Sequence, residues 1–140
     1  MSDKNETTNM KNLQLSLKKK WFDLTASGEK TEDYREITPR WCNIFLLYNE
    51  ARENIKWWNR MQNYHGCFFR KAIERDIENG IISFNSFGLN IMTLGYPKST
   101  NTSRILKLKH AGIHIGEGKP ELGAEAGKLY FVIKHGERLQ

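Results

Sequence analysis

Apolar positions along this chain recur with two different periods, and the switches between them outline its elements. Leu13, Gln14 and Leu15 alternate as a short half-buried strand does. Leu17, Trp21 and Leu24 follow at i, i+4 and i+7. That spacing predicts a helix over roughly Leu17 to Ser27, with Ser16 as its N-cap and Gly28 as its stop. Lys30 to Ile37 alternates again and meets Pro39, which predicts a second strand. From Asn43 to about Asn63 the helical period returns through Ile44, Leu47, Tyr48, Ala51, Ile55 and Trp58. His65-Gly66 breaks it, and Phe69, Ile73 and Ile77 mark a further helix closed by Asn79-Gly80.

The rest of the chain reads as strands. Ile81 to Phe84 and Gly88 to Leu94 are short candidates, separated by the Gly95-Tyr96-Pro97 turn from an alternating stretch, Ser103 to His110. There Leu106 and Leu108 share one face, Lys107 and Lys109 the other. Ile113-His114-Ile115 follows after a break. The four glycines and Pro120 between Gly116 and Gly127 predict a loop, and Leu129 to Ile133 predicts a buried core strand. Strands with one early helix, a helical pair, then more strands make an α+β order without βαβ alternation. One domain, 13–140, is expected behind a flexible polar tail, 1–12.

Composition narrows the class. A chain of 140 residues that is 39% hydrophobic and 27% charged is long and apolar enough to close one core. No stretch approaches the ~20 apolar residues of a membrane-spanning helix, and no membrane partner is expected. The first nine residues lack the apolar core of a secretory signal. Cys42 and Cys67, without a C-x-x-C pair, exclude a disulfide framework and a four-cysteine zinc site, and are read as reduced thiols of a cytoplasmic protein. The net charge of +6 favours polyanionic partners. Its distribution sharpens that reading. Between Asn79 and Gly116 stand Lys98, Arg104, Lys107 and Lys109 with no acidic residue, and Lys18, Lys19 and Lys20 add to them.

The segment Gly28-Glu29-Lys30-Thr31-Glu32-Asp33-Tyr34-Arg35-Glu36 carries the candidate chemistry. Its glycine lets the chain turn from helix to strand. On the strand Thr31, Asp33 and Arg35 share one face, and Glu32, Tyr34 and Glu36 the other. Lys30 at the strand's mouth supplies a compact charge or a base. Asp33 supplies a carboxylate to orient a group or accept a proton, and Arg35 a planar fork for phosphate or a base edge. The same alternation also describes an ordinary solvent-facing strand in which Asp33 and Arg35 form a simple ion pair.

Leu15-Ser16-Leu17-Lys18-Lys19-Lys20-Trp21-Phe22-Asp23-Leu24, with Ser27-Gly28-Glu29-Lys30 and Tyr34-Arg35-Glu36, resembles an ASCH domain. The family's hallmark is G-x-K-x-x-E-x-R after a first helix. Gly28, Lys30 and Arg35 match it, and Asp33 stands for the glutamate. Gly95-Tyr96, Ile115-Gly116-Glu117-Gly118, Glu121-Leu122-Gly123 and Tyr130-Phe131-Val132-Ile133 are similar to the family's later turn, closing loop and strand. The resemblance runs from Leu13 to Leu139, apart from a helical insertion at about 43–80. It implies a PUA-like small mixed β-barrel with a cleft lined by the hallmark residues, and binding of RNA, a nucleotide or a modified nucleoside. Some relatives cut RNA. One branch removes acetyl groups from acetylated cytidine with a lysine matching Lys30 and a threonine at the position of Asp33, so that triad does not transfer intact.

The expected ligand-binding residues are therefore Gly28, Lys30, Asp33, Arg35, Tyr96, Lys107 and Lys109, with Lys30 and Asp33 as the catalytic pair if the protein is a hydrolase. No metal and no cofactor is expected. His110 and His114 flank a strand break with no third ligand, and the Gly116-Glu117-Gly118 run precedes no helix that would present its N-terminus to a pyrophosphate. In the insertion, Trp57, beside Arg52, Lys56 and Arg60, is a candidate to stack a base, and Trp58 and Phe69 are read as core residues. The same segment is alternatively a docking surface for a protein partner.

Overall fold

The computed structural model describes residues 10–48 and 67–140. Among them the elements run β1 (Leu13–Leu17), α1 (Lys19–Ser27), β2 (Glu32–Glu36), α2 (Pro39–Phe45), β3 (Leu46–Tyr48), α3 (Cys67–Glu78), β4 (Ile82–Phe84), β5 (Leu89–Leu94), β6 (Ile105–Glu117) and β7 (Leu129–Arg138). Single 3-10 turns sit at Thr102–Arg104 and Pro120–Leu122. Five strands share one sheet in the order β1-β5-β6-β7-β2, and β3 pairs with β4 in a second. β1 runs parallel to β5 and β5 antiparallel to β6, so the larger sheet is mixed. The class is α+β, as the order of elements implies. No helix among the described residues is long and apolar enough to cross a membrane.

Contacts group the described residues into two compact units. The first comprises those of Met1–Asp33, Ser86–Gly112 and Ile133–Gln140, the second those of Tyr34–Asn85 and Ile113–Val132. In the first, every second residue of β1 is buried (Leu13, Leu15, Leu17), and the register sets Leu15 beside Met92 and Met92 beside Leu106. The next row along the same face is Leu13, Asn90 and Leu108. A polar residue thus occupies a position that strand periodicity assigns to the core. Phe22 and Thr25 face inward from α1, and the Thr25 hydroxyl donates to the Trp21 carbonyl at 2.7 Å.

The second unit packs Phe45, Leu46, Ala72, Ile73, Ile82, Phe131 and Val132 into its core. Trp41 stacks on Phe45, and Phe45 tilts against Phe131 with ring centroids 5.1 Å apart. Gly118 lies against Tyr34 and Ala124 so closely that a Cβ there would stand 2.5 Å from the Ala124 Cβ. The Tyr34 hydroxyl accepts from the Lys119 N–H at 3.0 Å.

Several expectations are corrected. The first helix begins at Lys19, not Leu17, because β1 continues through Leu17; Lys18 is its N-cap and makes no side-chain cap bond, so Ser16 does not cap it. The strand read over Lys30 to Ile37 is shorter, Glu32–Glu36. Pro39 does more than end it. It stands in the first turn of α2, where its missing N–H costs nothing, behind a Thr38 side chain that accepts from the Trp41 N–H at 3.3 Å. The helix read from Asn43 to Asn63 is interrupted at its start. Phe45 and Leu46 are both buried while Leu47 is exposed, and Leu46–Tyr48 pairs with Ile82–Phe84. Pairing with β4 outweighs the helical spacing of Ile44, Leu47 and Tyr48. The remainder of that stretch, with Trp57, Trp58, Arg52, Lys56 and Arg60, lies outside the described residues, as does most of the polar tail. The break expected before Ile113 is absent: β6 is one strand that passes through Gly112 at φ 116°. Inward side chains are even-numbered before that glycine (Leu106, Leu108) and odd-numbered after it (Ile115), as a bulge would arrange them.

Candidate functional site

The first unit gathers a group of polar side chains whose position starts from the turn after α1. Gly28 ends the helix at φ 86°, and its N–H donates to the Thr25 carbonyl. No atom lies within 4 Å of where its Cβ would be, so the backbone conformation, not lack of space, requires glycine. The Lys30 N–H then reaches back to the Leu24 carbonyl at 3.0 Å. This closed turn turns Lys30 inward. The residue is 3% exposed, and its Nζ donates to the Asp33 Oδ1 at 3.0 Å and to the Glu32 carbonyl at 2.8 Å.

Asp33 is 5% exposed, and the pair lies almost wholly out of solvent. Glu32, also buried, accepts from the Lys134 Nζ at 2.9 Å. Two ammonium groups therefore face two carboxylates, and the formal charges of these four side chains cancel. Buried pairs of this kind contribute little net stability, but removing one partner strands the other charge at about 3–5 kcal/mol. Trp21 connects this buried pair to the surface: the Lys20 Nζ lies 4.7 Å, and the Lys30 Nζ 5.8 Å, from its ring centroid.

Beside the pair, Asn90 bridges two histidines. Its carboxamide is fully buried. Its Nδ2 donates to the Lys134 carbonyl at 3.0 Å and lies 2.8 Å from the His135 Nδ1, and its Oδ1 lies 2.7 Å from the His110 Nδ1. The Lys134 carbonyl fixes which end of the amide is the donor, and the proton positions on both rings follow. His110 donates from Nδ1. His135 accepts at Nδ1 and in its neutral form carries its proton on Nε2.

Burial lowers the His135 pKa to about 4; Asp33 and Glu32 pull it upward, Lys30 and His110 downward. Burial also lowers that of His110. Among the described residues the His135 Nε2–H has no acceptor although it is shut off from solvent, a state that costs roughly 1–3 kcal/mol.

A second group lies at one end of the same sheet. The register aligns Leu17 with Leu94, and Thr93 with Ile105. Lys18 to Lys20, leaving β1, therefore emerge beside Gly95-Tyr96-Pro97-Lys98, leaving β5, and beside Arg104, which enters β6. All five of these basic side chains are exposed, and Tyr96 is 94% exposed. Lys19 is engaged by Asp23 at 2.6 Å.

The other expected site residues fall elsewhere. Lys109 pairs in register with Leu89, at the opposite end of β5 from the turn that carries Tyr96 and about 16 Å from Leu94, where that turn begins. Its Nζ meets Glu137 at 3.3 Å. Lys107, between them, is half-buried opposite Ile91. Arg35 belongs to the second unit, where its guanidinium lies 5.1 Å from the Trp41 ring centroid. Of the two histidines considered as ligands, His110 enters the Asn90 bridge and His114 is exposed. Among the described residues no three His, Cys, Asp or Glu side chains are grouped to hold a metal ion.

Sequence reasoning passed over Asn90, Glu32, Lys134 and His135. The signal for two members of the cluster was present as parity. Asn90 precedes Met92 and His110 follows Leu106 and Leu108, each on the inward parity of its strand, whereas His135 follows a run, Tyr130 to Ile133, that is buried on both parities. Comparison with protein-family models, with curated proteins and with solved structures returned no match.

Proposed function

We propose that this chain is an RNA- or nucleotide-binding module of the cytoplasm, a PUA-like barrel of the ASCH type. The observation that supports it best is the sheet end where Lys18, Lys20, Lys98 and Arg104 stand around the exposed Tyr96. An exposed aromatic ring among cations offers a stacking face for a base and counter-charges for its phosphates. Lys30, neutralised by Asp33 and buried, is poorly placed to hold a phosphate. In this reading the Gly28–Asp33 turn and its cluster instead receive an uncharged polar part of the ligand, and Cys42 as a buried free thiol fits a reducing compartment.

The test is a fluorescence-anisotropy titration with a labelled single-stranded RNA 12-mer across a salt series. Lys18→Ala, Lys98→Ala and Arg104→Ala together should weaken binding and flatten the log–log salt slope by about 2, given about 0.7 per phosphate contact on single strands. Tyr96→Ala should cost about 1–3 kcal/mol. Unchanged affinity and slope in the triple variant would sink the reading.

The buried Lys30–Asp33 pair beside a neutral histidine also supports a second reading, a hydrolase acting on RNA or a modified nucleoside. A lysine and a carboxylate held at 3.0 Å out of solvent can exchange a proton with a bound group. Turnover of a labelled RNA or nucleoside, abolished in Asp33→Asn while anisotropy still reports binding, would establish it. Turnover that survives Asp33→Asn would exclude that pair as the catalytic one.

A further inference from the structure

The Nε2–H of His135 is the one buried side-chain nitrogen or oxygen among the described residues that lacks a hydrogen-bond partner. Resting on the nucleotide-binding reading above, we infer that His135 reads the ligand's uncharged edge, its Nε2–H donating to a carbonyl oxygen or ring nitrogen of a nucleobase and not to a phosphate.

The amide of Asn90 fixes the tautomer of His135. The Lys134 carbonyl accepts from the Asn90 Nδ2, so the opposite orientation of the amide would set two oxygens against each other. With Nδ2 as donor, the His135 Nδ1 2.8 Å away must accept, and the ring proton sits on Nε2. The His110 Nδ1, 2.7 Å from the Asn90 Oδ1, holds the amide from its other end. Asn90 and His110 are thus positioning residues: they act through His135 and fix what it offers the ligand.

The same bond sets the charge of that donor. Adding a proton to the His135 Nδ1 would face it against the Nδ2–H of Asn90, so the bridge disfavours the cation, as does burial. The groups that act on the ring are Asp33, Lys30, His110 and Glu32, and the two carboxylates among them are matched by Lys30 and Lys134. A site with an uncharged donor and balanced neighbours has little with which to offset the desolvation of a phosphate. A nucleobase edge brings an acceptor of matching polarity and no net charge. His135 as a whole keeps part of its surface in solvent, and the proposal requires the groups that cover its buried Nε2 to give way to the incoming edge.

The experiment uses the full chain, labelled with 15N, and four nucleosides (adenosine, cytidine, guanosine and uridine) with inorganic phosphate as the anionic control. Long-range 15N–1H spectra should show His135 as the neutral Nε2–H tautomer. Its Nε2 resonance should move with at least one nucleoside and not with phosphate. His135→Gln, whose amide nitrogen stands near the former Nε2, should retain nucleoside affinity to within roughly threefold. His135→Asn, whose amide stands near Nδ1 and keeps the contact with Asn90, should lose about tenfold or more. A role limited to the Nδ1 contact with Asn90 predicts the reverse order.

An Nδ1–H tautomer, or a reversed order of the two variants, overturns the inference. If the backbone amides of Lys30 and Asp33 move with a nucleoside while the His135 Nε2 stays still, the inference fails and the binding reading survives. If neither moves with any nucleoside, both fail. A Nε2 response to phosphate alone also overturns the proposal.

Discussion

Replacing His135 by glutamine removes a titrating ring from the interior, and the change should be visible as a difference in acid stability. Burial holds the folded-state pKa near 4, whereas a histidine in the unfolded chain titrates near 6.5. Between those values the unfolded chain binds more protons than the folded one. The stability contributed by the neutral ring is therefore complete above about pH 6.5 and falls as pH drops through the window toward 4. At about 1.4 kcal/mol for each pH unit of separation, the full loss is about 3 kcal/mol, and about 2.5 kcal/mol of it is gone by about pH 4.5. Urea unfolding of the wild type and of His135→Gln at about pH 7.5 and about pH 4.5 measures it directly. Other titrating groups, His110 included, are present in both proteins and cancel in the comparison. The wild type should lose about 2.5 kcal/mol more than the variant. Parallel losses, equal to within about 0.5 kcal/mol, would show that the ring is not held neutral by its surroundings.

Four further outcomes test the packing within the two units. Gly28→Ala should cost about 1–2 kcal/mol, because a left-handed backbone gains a Cβ with open space around it. Gly118→Ala should cost about 1–3 kcal/mol for the opposite reason, a Cβ forced onto Ala124 and Tyr34; both are read from urea midpoints, and a neutral result at either position contradicts the geometry given for it. Lys30→Met and Asp33→Leu should each destabilise by about 3–5 kcal/mol, and the double variant by clearly less than the sum, so an additive cycle would deny the coupling of the pair. Cys42, whose thiol burial pushes up to about 12, should resist a disulfide-exchange reagent at pH 8 in a folded Cys67→Ser variant and react once urea unfolds it; prompt labelling of the folded form would refute its burial.

Strand periodicity was the most legible part of the chain. Alternation in Leu13 to Leu17 and the apolar run at Leu129 to Ile133 identify two strands, and Gly28 marks the end of the first helix, because each rests on local geometry. Leu46–Tyr48 was not legible, since its pairing with Ile82–Phe84 lies across more than thirty residues and local spacing suggests a helix. The approach of Lys30 to Asp33 was legible as far as their spacing allowed. Their burial was not, because it depends on strands that arrive much later in the chain. Asn90, His110 and His135 show the general difficulty: each is an unremarkable polar residue in its own segment, and only the sheet brings the three together.

The Asn90 row also bears on how the strands find their partners. If β6 slid two residues along β5 so that Leu106 stood opposite Asn90, Leu106 and Leu108 would still face inward, since a two-residue slip keeps every side chain on its face. Alternation by itself does not distinguish the two alignments. The slipped one would carry His110 away from Asn90 and bury a carboxamide oxygen among hydrocarbon, at roughly 1–3 kcal/mol. A side chain that weakens the core as a material thereby makes it singular, and a leucine at position 90 would give a stickier sheet with less reason to stop in the right place.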